Sequence, residues 1–118
     1  LWIVEKRPFR FASRLQIILC ACAGGLAFGL IENLLYLKVF VDDPSESLTY
    51  WRWTVCTFLH SGCSIIAGLG IMRIWKNTMA RREKPRLAHA TPYLVIAIVI
   101  HGVYNGFCLL LSLAEFQF

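Results

Sequence analysis

Charge is scarce in this chain. Its 118 residues are 16% charged and 58% hydrophobic, whereas soluble domains average roughly 25% charged. With a mean hydropathy of +0.60, the shortage excludes an ordinary solvated surface and points to lipid as the solvent. The length allows one domain and no more. Cysteines in turns are also missing. Cys20, Cys22, Cys56, Cys63 and Cys108 all lie inside apolar runs, which excludes a disulfide framework. Cys20-x-Cys22 lacks zinc-finger spacing and reads as small membrane hydrophobes. There is no internal repeat and no low-complexity tract. The net charge of +5 does not announce nucleic acid, because the basic residues cluster beside apolar runs instead of forming a groove-binding stripe.

What the chain does have is three apolar runs, at about 15–40, 53–75 and 93–114. Each meets the ~20 residues needed to cross a hydrocarbon core of ~30 Å. The expected fold is all-α: a polytopic membrane helical bundle with three transmembrane helices, forming one membrane-embedded domain over 1–118. The connections agree. Loop 41–52 is acidic and turn-rich, with Asp42, Asp43, Pro44 and Glu46. Loop 76–92 is basic, with Lys76, Arg81, Arg82, Lys84 and Arg86, and has Pro85 and Pro92 as breakers. Lys6, Arg7, Arg10 and Arg14 make the N-terminal segment basic as well. The positive-inside rule places the N-terminal segment and loop 76–92 in the cytoplasm, and the acidic loop and C-terminus outside. Trp51, Trp53, Trp75 and Tyr93 fall where an interfacial aromatic belt belongs. Ala21, Gly25 and Gly29 share one face of the first helix, and Gly102 and Gly106 one face of the third; this spacing lets helices approach closely.

Against that background Glu32 stands out. A carboxylate in mid-membrane costs roughly 2.5–3.5 kcal/mol on insertion scales, and Glu32-Asn33 lies within the first run. The other two runs each carry a histidine, His60 and His101. At ~1.5 Å per residue, Glu32 lies ~12 Å, His60 ~10 Å and His101 ~20 Å below the outer surface, close enough to meet in one layer. Imidazole and carboxylate are ordinary zinc ligands, and a bound divalent ion would activate water and polarise a peptide carbonyl. The carboxylate could equally serve as a general base. Asn105, one turn after His101, faces the same way and could support an oxyanion or a ligand. Bland readings stand beside these: histidine as an interhelical hydrogen bond, Asn33 as interhelical glue, Glu32 as a proton-relay group. Lys38 and Arg73 lie near helix ends and snorkel. His89 is assigned no role.

The spacing also resembles a family. Phe28-Gly-Leu-Ile-Glu32-Asn33-Leu-Leu-Tyr36 is similar to the F-x-x-x-E-N signature of the PrsW intramembrane proteases. Arg52 and His60, eight apart, resemble the family's arginine–histidine signature, and His101-Gly-Val-Tyr-Asn105 resembles its last one. The three come in the family's order, each on its own helix, over roughly Arg14 to Leu111. The family is distantly similar to the CAAX prenyl endopeptidase and bacteriocin-immunity group. The resemblance implies a protease, glutamic-type or metal-dependent, with Glu32, His60 and His101 as catalytic or metal-binding residues. Asn33, Arg52 and Asn105 become supporting residues, and a divalent metal such as zinc the cofactor.

The implied partners are the bilayer and a membrane-bound protein substrate such as an anti-sigma factor, cut at site 1. The implied location is the cytoplasmic membrane of a bacterium or archaeon. One signature, E-E-x-x-K, is absent, and Glu5-Lys6 does not supply it. Counting back places it before Leu1, with Leu1-Trp2-Ile3-Val4 as the tail of its helix. The chain is then expected to be part of a larger bundle, or a reduced relative. Three functions follow as expectations: an intramembrane endopeptidase first, a non-catalytic binding or chaperone module second, a proton or ion pathway third.

Overall fold

The computed structural model describes Lys6, Arg10 and residues 13–82 and 84–113; the segment 1–4 expected as a helix tail lies outside them. Every regular element among the described residues is helical. Helix α1 spans Arg14–Leu35 and continues through a π-helical turn, Tyr36–Phe40. A short helix α2, Glu46–Trp51, runs through a second π-helical turn, Arg52–Cys56, into α3, Thr57–Arg81. A 3-10 turn, Leu87–His89, precedes α4, Thr91–Leu113. The spans Arg14–Phe40, Glu46–Arg81 and Thr91–Cys108 are each long and apolar enough to cross a membrane.

Local chemistry sets the helix starts. Ser13 Oγ accepts the Gln16 N–H at 3.2 Å and caps α1. Ser45 Oγ accepts the Leu48 N–H at 3.2 Å, with Glu46 in the first turn of α2; a side-chain acceptor and a carboxylate both suit the positive end of a helix. This cap revises the expected layout. The acidic connection is 41–45 rather than 41–52, and the second helix begins well before residue 53. It also runs on to Arg81, taking the first residues assigned to the basic loop. At its end Arg82 takes a left-handed conformation, φ 53°. The uninterrupted span 46–81 has 36 residues, so it is ~54 Å long; it sets the long dimension of the molecule, 54 × 22 × 19 Å.

The second span is the spine. Helix α1 packs along one side of α3 and α4 along another. The α1–α3 seam is built on small residues, as the spacing implies. A Cβ on Gly25 would sit 2.6 Å from the His60 carbonyl oxygen, and one on Gly29 would sit 3.3 Å from the His60 ring. On the other side of the seam a Cβ on Gly68 would meet Ala21 at 2.6 Å. Glycine lets these backbones touch, and in lipid that contact supplies the packing attraction. The same expectation fails for α4: Gly102 and Gly106 have open space where a Cβ would go. Helix α4 instead turns Leu94, Ala97, His101, Tyr104 and Cys108 inward, a stripe at helical spacing. Near the basic loop, Ile74 and Ala90 are fully buried against Ile71, Trp75 and Leu94.

Candidate functional site

The polar residues of the three spans converge in one layer. Glu32 lies on α1 one turn before Tyr36, so both side chains leave the same face. The Arg52 guanidinium fits between them. Its Nη2 donates to Glu32 Oε1 at 2.9 Å, and its carbon lies 4.1 Å from the centroid of the Tyr36 ring. The other carboxylate oxygen, Oε2, lies 3.0 Å from His60 Nε2. Both oxygens of Glu32 thus face donors from the second span. A half-exposed carboxylate is held by a nearly buried Arg52 and a buried His60, which fixes its direction better than either contact alone.

His60 is the centre of the layer. Its ring stands edge-on to Phe28, centroids 5.0 Å apart, and tilts against His101, centroids 4.9 Å apart. The missing Cβ of Gly29 leaves room for it. On α4, Asn105 Nδ2 reaches within 3.4 Å of His101 Nδ1. Glu32, His60 and His101 therefore sit together at one depth. The expected depths set His101 roughly ten ångströms below the other two; for His60 the difference arises because its span begins seven residues before residue 53, at Glu46.

Asn33 does not face the carboxylate. It is completely buried in the α1–α3 seam, where Nδ2 donates to the Arg52 carbonyl at 2.8 Å and to Thr57 Oγ1 at 3.0 Å. The Thr57 hydroxyl donates in turn to the Arg52 carbonyl at 3.4 Å. Its role is to hold the backbone from which Arg52 projects. Two contacts were invisible to motif reading. Thr57 is one. The other is Tyr104, whose hydroxyl accepts from Trp51 Nε1 at 2.7 Å and lies 2.9 Å from Cys56 Sγ. For Tyr104 a signal was present in the pattern, since it lies three residues after His101 and one turn before Cys108 and so shares their face of α4; for Thr57 there was none.

Beside the layer, α1 and α4 leave a cleft of about 470 Å³ over α3. Phe28 forms one wall, His60, Cys63, Ser64 and Ala67 the floor, and Leu94, Ala97, Ile98, His101 and Gly102 the other wall. Its lining is mainly apolar, with Ser64 and Cys63 in the floor and the two imidazoles as its polar groups.

Two imidazoles and a carboxylate are the donor set of a catalytic zinc site, so the residues suit a metal in kind. Their arrangement is a hydrogen-bonded one. Arg52 and His60 engage both oxygens of Glu32, and among the described residues no group of three or more His, Cys, Asp or Glu side chains is gathered to hold a metal ion. Asn33 Oδ1 and Arg52 Nε are buried without a hydrogen-bond partner among the described residues, but a guanidinium donor cannot ligate a cation. Glu32, His60 and His101 thus have the chemistry of metal ligands but, among the described residues, are not gathered as a metal site.

Compared with known proteins, residues 1–117 match the family model described as PrsW family intramembrane metalloprotease. No curated protein matches the chain, and neither does any solved structure. The match runs through all three spans and every residue of the polar layer, and on that ground the chain belongs to the PrsW family, as an integral membrane protein.

Proposed function

We propose that the layer of Glu32, His60 and His101 is the hydrolytic site of an intramembrane endopeptidase acting on membrane-bound protein substrates. One observation carries the reading. Three ionisable side chains from three apolar helices meet at hydrogen-bonding or ring-contact distance, beside an open cleft. Such groups are costly in a bilayer and are retained where they act.

The roles follow from the geometry. Glu32 accepts the proton of the attacking water, as a carboxylate that is partly exposed and has its direction fixed by its neighbours. Arg52 and Tyr36 fix the direction of that carboxylate. His60, on Glu32 Oε2, passes the proton on toward the leaving amine. His101, at the mouth of the cleft and steadied by Asn105, faces the scissile carbonyl. In the metal-dependent alternative Glu32, His60 and His101 would instead hold a divalent ion such as zinc, which would supply an activated water and a polarised carbonyl. The substrate enters laterally along the cleft, its apolar side chains against Leu94, Ala97 and Ile98. An anti-sigma factor is a substrate of this class. The basic segments place the loop after Arg81 in the cytoplasm and the polar layer toward the outer half of the membrane.

A non-catalytic module with the same fold is the second reading, favoured by the full engagement of Glu32 by its neighbours. Cleavage of a single-span substrate in proteoliposomes separates the two. The wild-type chain is expected to cut, and Glu32→Ala and His101→Ala to lose at least a hundredfold in rate, on the order expected when a reacting group is removed. Equal turnover by both variants would refute the proposal.

A further inference from the structure

We propose that Thr57 and Tyr104 are positioning residues, which clasp the π-helical turn Arg52–Cys56 between α1 and α4 and so hold Arg52 on Glu32. The inference rests on the reading of Glu32 as the reacting carboxylate, and it concerns two side chains that touch no reacting atom.

A π-helical turn is a fold-level liability. It contains an extra residue relative to an α-helix and is rare, appearing mostly as a single-turn bulge inside an α-helix, and the backbone groups it displaces need partners. Here the compensation is specific and comes from both sides. From α1, Asn33 reaches the Arg52 carbonyl and the Thr57 hydroxyl at 2.8 and 3.0 Å. From α4, the Tyr104 hydroxyl meets Trp51 and Cys56, the residues just before the turn and at its end, at 2.7 and 2.9 Å. Within the span, Thr54 Oγ1 donates to the Tyr50 carbonyl at 2.7 Å, and Thr57 Oγ1 donates to the Arg52 carbonyl. Hydroxyls that bond back to the preceding turn bend and loosen a helix.

The turn matters because of what it aims. Arg52 and His60 both bind Glu32, yet they are eight residues apart in sequence. Eight residues of ideal α-helix bring a side chain round by 800°, or 80° past two full turns. Without adjustment the two would leave the helix in directions too far apart to grip the two oxygens of one carboxylate. Widening the helix between them reduces that divergence. The Thr57 hydroxyl is the only side-chain group that touches both Asn33 and the carbonyl of Arg52 among the hydrogen bonds of the described residues. Tyr104 ties the same turn to the helix that carries His101, three residues away, so the clasp also keeps His101 level with His60.

The test uses the full chain in proteoliposomes with Thr57→Val, Thr57→Ser and Tyr104→Phe, each close in volume to the original or smaller. Two quantities are read. The first is cleavage of a single-span substrate. Thr57→Val and Tyr104→Phe are expected to lower kcat about tenfold or more with KM within about twofold, as displacement of a catalytic group does; Thr57→Ser restores kcat. The second is the separation of the Arg52 guanidinium nitrogens and the Glu32 carboxyl carbon, by solid-state NMR on 15N-arginine, 13C-glutamate protein, with Glu32→Gln identifying the signal. It is expected to lengthen in Thr57→Val and return in Thr57→Ser. An unchanged separation in Thr57→Val overturns the inference, whatever happens to cleavage. A lengthened separation in a wild-type protein background that never cleaves upholds the clasp and overturns the protease reading alone.

Discussion

At the scale of single residues, the site is a set of side chains with one task each. Arg52 shows how narrow such a task can be. It must donate to Glu32 Oε1 and lie flat on Tyr36 at the same time. A planar, delocalised cation does both; an ammonium does neither as well, since it is a compact, strongly hydrated point charge. Arg52→Lys is therefore expected to keep the net charge and the fold but to lower cleavage by about tenfold or more, the scale of a misplaced catalytic group. Melting in detergent alongside the cleavage rate checks it: an unchanged rate would mean that charge alone is what Glu32 needs. The sequence already exposed Glu32, His60 and His101, because an ionisable group in an apolar run is conspicuous whatever surrounds it. It also exposed Asn105 beside His101, because one helical turn is a fixed geometry. It could not assign Asn33 its place. An amide adjacent to a catalytic carboxylate is equally able to face the site or the neighbouring helix, and only the seam built by Gly25 and Gly29 turns it toward the Arg52 carbonyl. Thr57 escaped notice for a related reason. A threonine in a membrane helix is common as a hydroxyl bonded to its own backbone, and nothing in the pattern tells which carbonyl it serves.

At the scale of elements, the helices were legible and their joints were not. Hydrophobic runs predict where lipid is crossed, so the spans at about 15–40, 53–75 and 93–114 were visible. Caps and π-helical turns depend on a few side chains whose partners lie elsewhere. Ser45 converts most of an acidic loop into helix, and the turn at Arg52–Cys56 is compensated across two interfaces. The glycine faces divide in an instructive way. Both α1 and α4 present small residues at four-residue spacing, but only α1 uses them, since α4 meets α3 along a stripe of larger side chains. This gives a paired prediction on neighbouring positions of α1. Gly25→Ala drives a methyl into the His60 carbonyl at 2.6 Å and the Ser61 backbone at 2.8 Å, and is expected to cost about 1–3 kcal/mol, the usual range for overpacking. Gly24→Ala meets nothing within 4 Å and is expected to be neutral or to stabilise by up to about 1 kcal/mol through reduced chain freedom. Thermal melts of the two variants in the same detergent decide the matter: equal melting temperatures would show that the α1–α3 seam relaxes freely, against the close approach described here.

At the scale of the whole molecule, the question is what the arrangement admits. The chain is a spine with two flanking helices, and the space between the flanks is the cleft of about 470 Å³. Its floor and far wall carry small side chains, Ser64, Ala67, Ala97 and Gly102, below the imidazoles. A transmembrane substrate unwound at its cleavage site would place the residues on the cytoplasmic side of the scissile bond there. Their bulk is then limited by Ala97, which is nearly buried at the contact of α4 with the floor. Ala97→Phe is expected to fill that space on the face of α4 that also carries His101, one turn on, so its effect is read as a change of substrate preference and not of rate. Substrates with large side chains next to the cut should lose about tenfold or more relative to substrates with Ala or Gly there, because a hydrophobic pocket discriminates by roughly 1–3 kcal/mol for a small change in fit. The comparison must be a ratio of kcat/KM values between two substrates in one enzyme preparation, so that any loss of folded protein cancels. A ratio unchanged from wild type would mean that substrate lies elsewhere on the bundle. A ratio shifted toward small side chains would connect the position of α4 on the spine, held by Tyr104 toward its C-terminal end and by the Ala90–Ile74 contact at its N-terminal end, to the choice of substrate.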